Sequence, residues 1–366
     1  MGKDTQISMS QLVAILLTSR LVVSMAFAPT RHQMSHGTDF LLSEVLHMFL
    51  LLALLLPVWW FGKRTNGAGT IDYAYILFGR GGAVAAVLYA VACLYIVALD
   101  VLRFRQFVSI SLSPDMSGTA LCAALVIGAM AAAFYGLQAI ARTATLIAFV
   151  VVLCIVGVGL ALLPDIEWIH FPPLLYDGVE PVIAGAIEEL PRTLEIAILG
   201  MLLPYTKGSR TKGYIVWTVL LTAVLLVIQA TTVGVLGDFS EEILFPYYTA
   251  VTAAQVGVLQ RMDIVATGIW VAALFLKMAF FCTLYMSCTG RLFGQKSRLL
   301  AAAIGGGIML AAGLWLGNRS LRIEKAAIFW VSSVVLLVFA IVLPLFLIFT
   351  DIALIRWKKK AHSHSP

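Results

Sequence analysis

Residues 186–205 read "AIEELPRTLEIAILGMLLPY". Apart from Glu188, Glu189, Arg192 and Glu195, the stretch is as apolar as a membrane-crossing helix, and Pro191 stands among the charges. Proline lacks the helical N–H and clashes with the turn before it, so a helix through this segment is expected to break there. Broken backbone at membrane depth is tolerated only where it is buried in protein or lines a cavity. The reading of the whole chain therefore depends on whether this segment lies in a membrane.

Hydrophobic residues make up 61% of the 366 and charged residues 12%, with a mean hydropathy of +0.97, which excludes a soluble domain and points to a polytopic membrane protein. Ten segments approach the roughly 20 apolar residues a spanning helix needs: about 9–29, 39–62, 81–108, 117–137, 142–163, 181–203, 213–236, 263–290, 298–316 and 327–350. The fold expected is all-α, one transmembrane domain over about 1–355, followed by a basic tail at 356–366, "RWKKKAHSHSP". Lys3 and Asp4 precede the first span without a small-residue cleavage pattern after it, so that helix is expected to be retained.

An even number of spans places both ends on one side. That side collects Lys63, Arg64, Lys207, Arg210, Lys212, Arg291, Lys296, Arg298 and the Lys358–Lys360 run, whereas the acids Asp165, Glu167, Asp177, Glu180, Asp238, Glu241 and Glu242 fall opposite. The positive-inside bias then predicts that both termini are cytoplasmic. The net charge of +6 reflects this topology and gives no sign of nucleic-acid binding; the basic tail suits a solvated or anionic-lipid surface.

The spans divide five and five, into halves of about 7–165 and 180–355, and Arg20 and Arg192 lie at matching depths in the leading span of each. This weak symmetry points to an inverted repeat whose leading helices are broken at mid-membrane. The first span, "QLVAILLTSRLVVSMAFAPT", carries Thr18, Ser19, Arg20 and Ser24 at mid-depth and Pro29 near its end. Between the seventh and eighth spans, Phe239–Asp263 reads as an outer loop with a short helix along the membrane surface.

A charge at the centre of a span costs about 2.5–3.5 kcal/mol on insertion scales, so it must be paired, watered or functional. Glu188 and Glu189 could each neutralise Arg192 at helical spacing, as the wet outer end of the sixth span or as part of a polar site. Glu195, one turn past Pro191, faces either a polar cavity or a structural partner such as Arg20. Lys277 lies too deep in "IWVAALFLKMAFFCTLY" for its ammonium to reach water easily, and is read either as replacing an ion or gating a site, or as paired structurally with a carboxylate. Asp100 and Arg103, three apart near the end of the third span, read as a self-pair.

Gly305, Gly306, Gly307, Gly313 and Gly317 read as close helix contacts; no Gly-Lys-Ser/Thr follows, as a phosphate loop requires. The five cysteines lie inside spans without CxxC spacing and read as packing. No nucleophile–base pair, metal-ligand cluster or dinucleotide fingerprint stands out, so no enzyme activity, cofactor or metal is expected.

Three stretches resemble the B-subunit permeases of bacterial endospore germinant receptors, within the amino acid–polyamine–organocation transporter superfamily. The most specific is "QRMDIVATGIWVAALFLKMAFFCTLYMSCTGRLFG", Gln260–Gly294, with Arg261, Asp263, Trp270 and Lys277 in place. "LEIAILGMLLPYTK", Leu194–Lys207, matches through Glu195 and Pro204, and "ISMSQLVAILLTSRLVVSMAFAPT", Ile7–Thr30, through Pro29; the Ile7–Thr30 stretch lacks the usual glycine at "VVSMAF". The resemblance implies a ten-helix inverted-repeat fold in the spore inner membrane, binding an amino-acid germinant between broken first and sixth spans. It also implies an A-type membrane subunit and a C-type lipoprotein as partners. On this reading Val23, Ser24 and Met25 with Thr193, Leu194 and Glu195 contact the ligand. Lys277 takes a cation's place between spans one and eight, and Arg20 serves gating. A proton-coupled amino-acid transporter and a non-binding structural subunit remain the alternatives.

Overall fold

The computed structural model describes residues 6–26, 37–112, 117–253, 262–317 and 321–363; the expectations resting on Pro29 and Arg261 lie outside them. The first half comprises α1 (Met9–Ala26), α2 (Gly37–Arg64), α3 (Thr70–Phe78), α4 (Ala83–Phe107), α5 (Gly118–Ala133) and α6 (Leu137–Leu162). The corner between α3 and α4 is a single tight turn, Gly79–Gly82. A Cβ at Gly82 would collide with the backbone of Ala74 and Tyr75, which only glycine avoids.

The second half opens on the segment read as the broken sixth span. It consists of α7 (Val179–Glu189), 3-10 turns over Leu190–Arg192 and Leu194–Ile198, α8 (Leu199–Leu202) and a last turn at Leu203–Tyr205. It continues through α9 (Arg210–Leu236), α10 (Pro246–Ala253), α11 (Met262–Phe293), α12 (Arg298–Leu316), α13 (Leu321–Leu337) and α14 (Leu343–Ser363). Helices α13 and α14 form one run interrupted by a π turn at Val338–Val342. Pro344, just beyond it, cannot donate to the carbonyl four residues back, so the local widening has an identifiable cause. The helix continues through Ser363, past the expected start of the tail at 356.

The all-α reading holds. The only strands among the described residues are β1 (Ile7–Ser8) and β2 (Thr206–Lys207), two residues each and parallel, with Ile7 opposite Thr206. Seven helical segments there have the length and composition of membrane spans, against ten read from the sequence. The shorter apolar stretches Met9–Met25, Gly118–Ala133 and Leu194–Tyr205 stand where the first, fourth and sixth spans were expected.

The pattern of burial inverts that of a soluble protein. Large apolar side chains such as Ile127, Leu146, Phe149, Leu153 and Leu299 point outward, while Arg20, Asp100, Glu189, Glu195 and Lys277 are buried. An apolar exterior of this extent needs lipid rather than water around it. Helix α11 occupies the centre, packed against α1, α4, α5, α6 and α12, and is buried almost continuously from Ala273 to Thr289.

Close packing around α12 uses two of the glycines singled out in the sequence. Gly305 lies against the Tyr285 ring, and a Cβ at Gly313 would stand 2.6 Å from Val101 Cβ and 2.7 Å from the Ala98 carbonyl oxygen. Gly307 faces open space, so it is no helix contact. All five cysteines are free thiols. Helix α10 is the short helix expected between the seventh and eighth spans: its Tyr247, Ala250 and Val251 are buried, and it packs on α1, α6, α9 and α11.

Candidate functional site

The break in the sixth span begins where proline dictates. Leu190–Arg192 tightens into a 3-10 turn, and Thr193 leaves helical geometry at φ −100°, ψ 53°. The Thr193 amide donates to the Leu190 carbonyl at 3.0 Å, and Ile196 to the Thr193 carbonyl at 3.3 Å. Glu189 and Glu195 thus flank an irregular turn, and each meets a different partner.

Glu189 accepts from Arg20 Nη2 of α1 at 2.6 Å, and Arg192 Nη1 lies 3.6 Å from its other oxygen. The second terminal nitrogen of Arg20 donates to Ser24 Oγ, one turn along α1. Glu195 accepts from Ser19 Oγ at 2.9 Å and stands 3.8 Å from Lys277 Nζ of α11. Lys277 donates to Asp100 Oδ1 of α4 at 3.0 Å, and Arg103 reaches the same oxygen at 3.2 Å. Four elements therefore contribute charges to two interior groups on either side of the break. Side-chain exposures of 0–4% take Arg20, Asp100, Glu189, Glu195 and Lys277 out of bulk water, so opposite charges close by offset the cost of burying them.

The balance leaves several polar atoms over. Thr18 Oγ1, Thr193 Oγ1, Glu195 Oε2, Asp100 Oδ2, Glu189 Oε1 and Arg20 Nε are buried without a hydrogen-bond partner. Buried polar atoms are normally satisfied, because an unmade bond costs about 1–3 kcal/mol. They belong to α1, α4 and the segment that contains the break. They provide acceptors for a cationic group and one guanidinium edge for an anionic one.

The family model described as "Spore germination protein" matches residues 6–320. The chain belongs to this family of spore germination permeases. No curated protein matches it. Among solved structures, a Na+-coupled sialic acid symporter in its substrate-bound, outward-open state is similar at 11% identity with a TM-score of 0.55. That match covers 91% of this chain and 79% of the symporter's. A manganese transporter of Eremococcus coleocola matches at 13% identity and a TM-score of 0.41, over 97% of this chain and 72% of its own. The first likeness shows that the germination permease has a transporter fold.

Within this permease the expected site residues separate into two groups. Thr193, Leu194 and Glu195 sit at the break, buried, as the sequence predicts. Val23, Ser24 and Met25 do not lie in an unwound segment: α1 is continuous from Met9 to Ala26. The run "VVSMA" offers no glycine to lower the cost of leaving the helix. The side-chain bonds joining α1 to the break come one turn earlier, from Ser19 and Arg20. The Val22 carbonyl is occupied by the Trp270 indole N–H at 2.8 Å.

Two pairings also differ from expectation. Arg20 pairs with Glu189, not with Glu195. Lys277 of α11 reaches Asp100 of α4 and stands near Glu195 at the break. Asp100, read from the sequence as self-paired with Arg103, makes that contact and is also the principal partner of Lys277. The signal was present, since an acid in the third span and a lysine in the eighth are both too deep to be left unpaired. What was missing was any means of matching residues 177 positions apart.

Proposed function

We propose that this permease is the nutrient-sensing membrane subunit of a spore germination receptor, and that it binds a small germinant of the amino-acid class at mid-membrane. The reading is carried by one observation: Thr193 and Glu195 at the break, and Thr18 and Arg20 on the α1 helix bonded to it, each keep a buried polar atom without a hydrogen-bond partner. A ligand ammonium fits Glu195 Oε2 and the threonine hydroxyls, and a ligand carboxylate fits the Arg20 edge. An irregular turn suits this task because its backbone groups are not committed to a helix. Lys277 and Asp100 hold Glu195 in place from behind. Both termini are cytoplasmic in this proposal, supported by the basic residues of that face, and the spore inner membrane is the site of action. An A-type membrane subunit and a C-type lipoprotein are the partners.

The test is ligand-dependent thermal stabilisation of the purified protein across a panel of amino acids and nucleosides, since binding to the folded state alone raises its stability. At least one amino acid is expected to stabilise the wild type, and Glu195→Gln to remove the effect. A panel without any shift in folded wild-type protein overturns the proposal and favours a structural subunit. A second reading, proton-coupled amino-acid transport, is favoured by Lys277 standing between Asp100 and Glu195. Concentrative, pH-gradient-driven uptake of labelled amino acid in proteoliposomes distinguishes it from sensing alone.

A further inference from the structure

A second polar group lies outside the network at the break. In α2, His47 and Glu44 are buried to 0% and 1% exposure, and His47 Nδ1 lies 3.1 Å from Glu44 Oε1. The other carboxylate oxygen accepts from Gln229 Nε2 of α9 at 2.8 Å. His47 is ten residues into α2, about 15 Å along its axis, well inside a candidate span. Nothing in the candidate ligand site uses these three side chains.

Their hydrogen bonds specify their roles. The Gln229 amide donates, so the Glu44 oxygen facing it carries no proton. With Glu44 ionised, His47 presents Nδ1–H to it, which leaves the imidazole lone pair on Nε2. That nitrogen is buried and has no hydrogen-bond partner. An imidazole whose one nitrogen donates to a carboxylate and whose other bears a free lone pair is arranged to accept a proton. Once protonated, the His47–Glu44 pair is an imidazolium and a carboxylate, neutral together. Before protonation it carries one negative charge.

Among the described residues outside α2, the compensating charge comes from α1. Arg20 acts on Glu44 electrostatically from that helix, while itself bonded to Glu189. Helix α7 meets α2 at Gly185, against Ser43, and ends at Glu189; the following turn carries Arg192, held at Glu189. Helix α9 supplies Gln229, which is polar but does not titrate. Neither α8 nor the Val338–Val342 turn carries a titratable side chain. In α14, Asp351 is engaged by Arg64 at the end of α2 remote from His47.

The geometry points to a proton-binding site formed by His47 and Glu44, with Gln229 fixing the carboxylate, separate from the candidate ligand site. Its occupancy changes the charge facing Arg20, and Arg20 is the residue that holds Glu189 at the break. The ligand of this site is the proton itself.

The test is 15N NMR of the full-length protein in lipid bilayers, labelled at its six histidines, with His47→Asn assigning the His47 signal. His47 is expected to pass between neutral imidazole and imidazolium between about pH 5 and 9. Glu44→Gln is expected to displace its midpoint by about one pH unit or more, and Gln229→Leu, which keeps the carboxylate, by a smaller measurable amount. A His47 signal fixed in one protonation state across that range overturns the proposal. So does a midpoint unmoved in whichever of the two variants folds.

Discussion

Lys277 of α11 donates to Asp100 of α4 at 3.0 Å, with both side chains at most 2% exposed. The pair's residues come from the two most extensively packed helices, so its loss is felt throughout the bundle.

Removing one partner of a buried ion pair strands the other and costs about 3–5 kcal/mol, whereas replacing both with neutral residues of similar size is far less damaging. Lys277→Met and Asp100→Asn are therefore each expected to lower the thermal midpoint of the detergent-purified protein markedly. The double variant is expected to recover most of the loss. Additive losses in the double variant would show that the two residues act separately.

Glu189 is the shared anion for Arg20 and Arg192. Glu189→Gln is expected to destabilise the protein by several kcal/mol, on the order of that for a broken buried pair, because two guanidinium groups lose their carboxylate together. Glu188→Gln, at a less buried position on the same helix, is expected to cost much less. Thermal unfolding of the two variants side by side provides the check.

The glycines of α12 predict a contrast within one helix. Gly313→Ala forces a methyl group into Val101 and the Ala98 carbonyl, and overpacking of this kind costs about 1–3 kcal/mol. Gly307→Ala meets nothing within 4 Å and is expected to be neutral or slightly stabilising, as alanine is the better helix former. Equal thermal midpoints for the two variants would contradict the packing described for α12.

At the far end of the sixth span, Arg291 is bonded to both oxygens of Asp72 and, at 2.8 Å, to the Tyr205 hydroxyl. Tyr205→Phe removes one bond and leaves the ion pair, so a loss of about 1 kcal/mol is expected. Asp72→Asn is expected to cost more and to flatten the dependence of stability on salt, since a partly exposed ion pair is screened.

Much of the architecture could be read from residue patterns. Apolar runs located the helices, and Pro191 located the break. The partners of the buried charges could not be read in this way, and the reason lies in the turn itself. On a continuous α-helix, Glu189 and Glu195 would point about 120° apart. Six residues at three per turn bring side chains back to the same face, and this span mixes both geometries. The direction of Glu195 therefore depends on backbone detail that periodicity does not carry. The first span illustrates the opposite error: polar residues at mid-depth suggested unwinding, yet Ser19 and Arg20 work from an intact helix. Glu44 and His47 were legible as an acid and a histidine three apart inside the second span, but the apolar residues around them masked the pair.

The two-residue bridge between Ile7–Ser8 and Thr206–Lys207 joins the chain just before α1 to the chain just after the sixth span. The two leading elements of the molecule are thus tethered at one end by backbone and linked at mid-depth by Ser19 and Arg20. They form a single lever with two fastenings: a tilt of one must be followed by the other or must tear the bridge. A movement of the segment that ends at Tyr205 is in this way passed to the residues that enter α1.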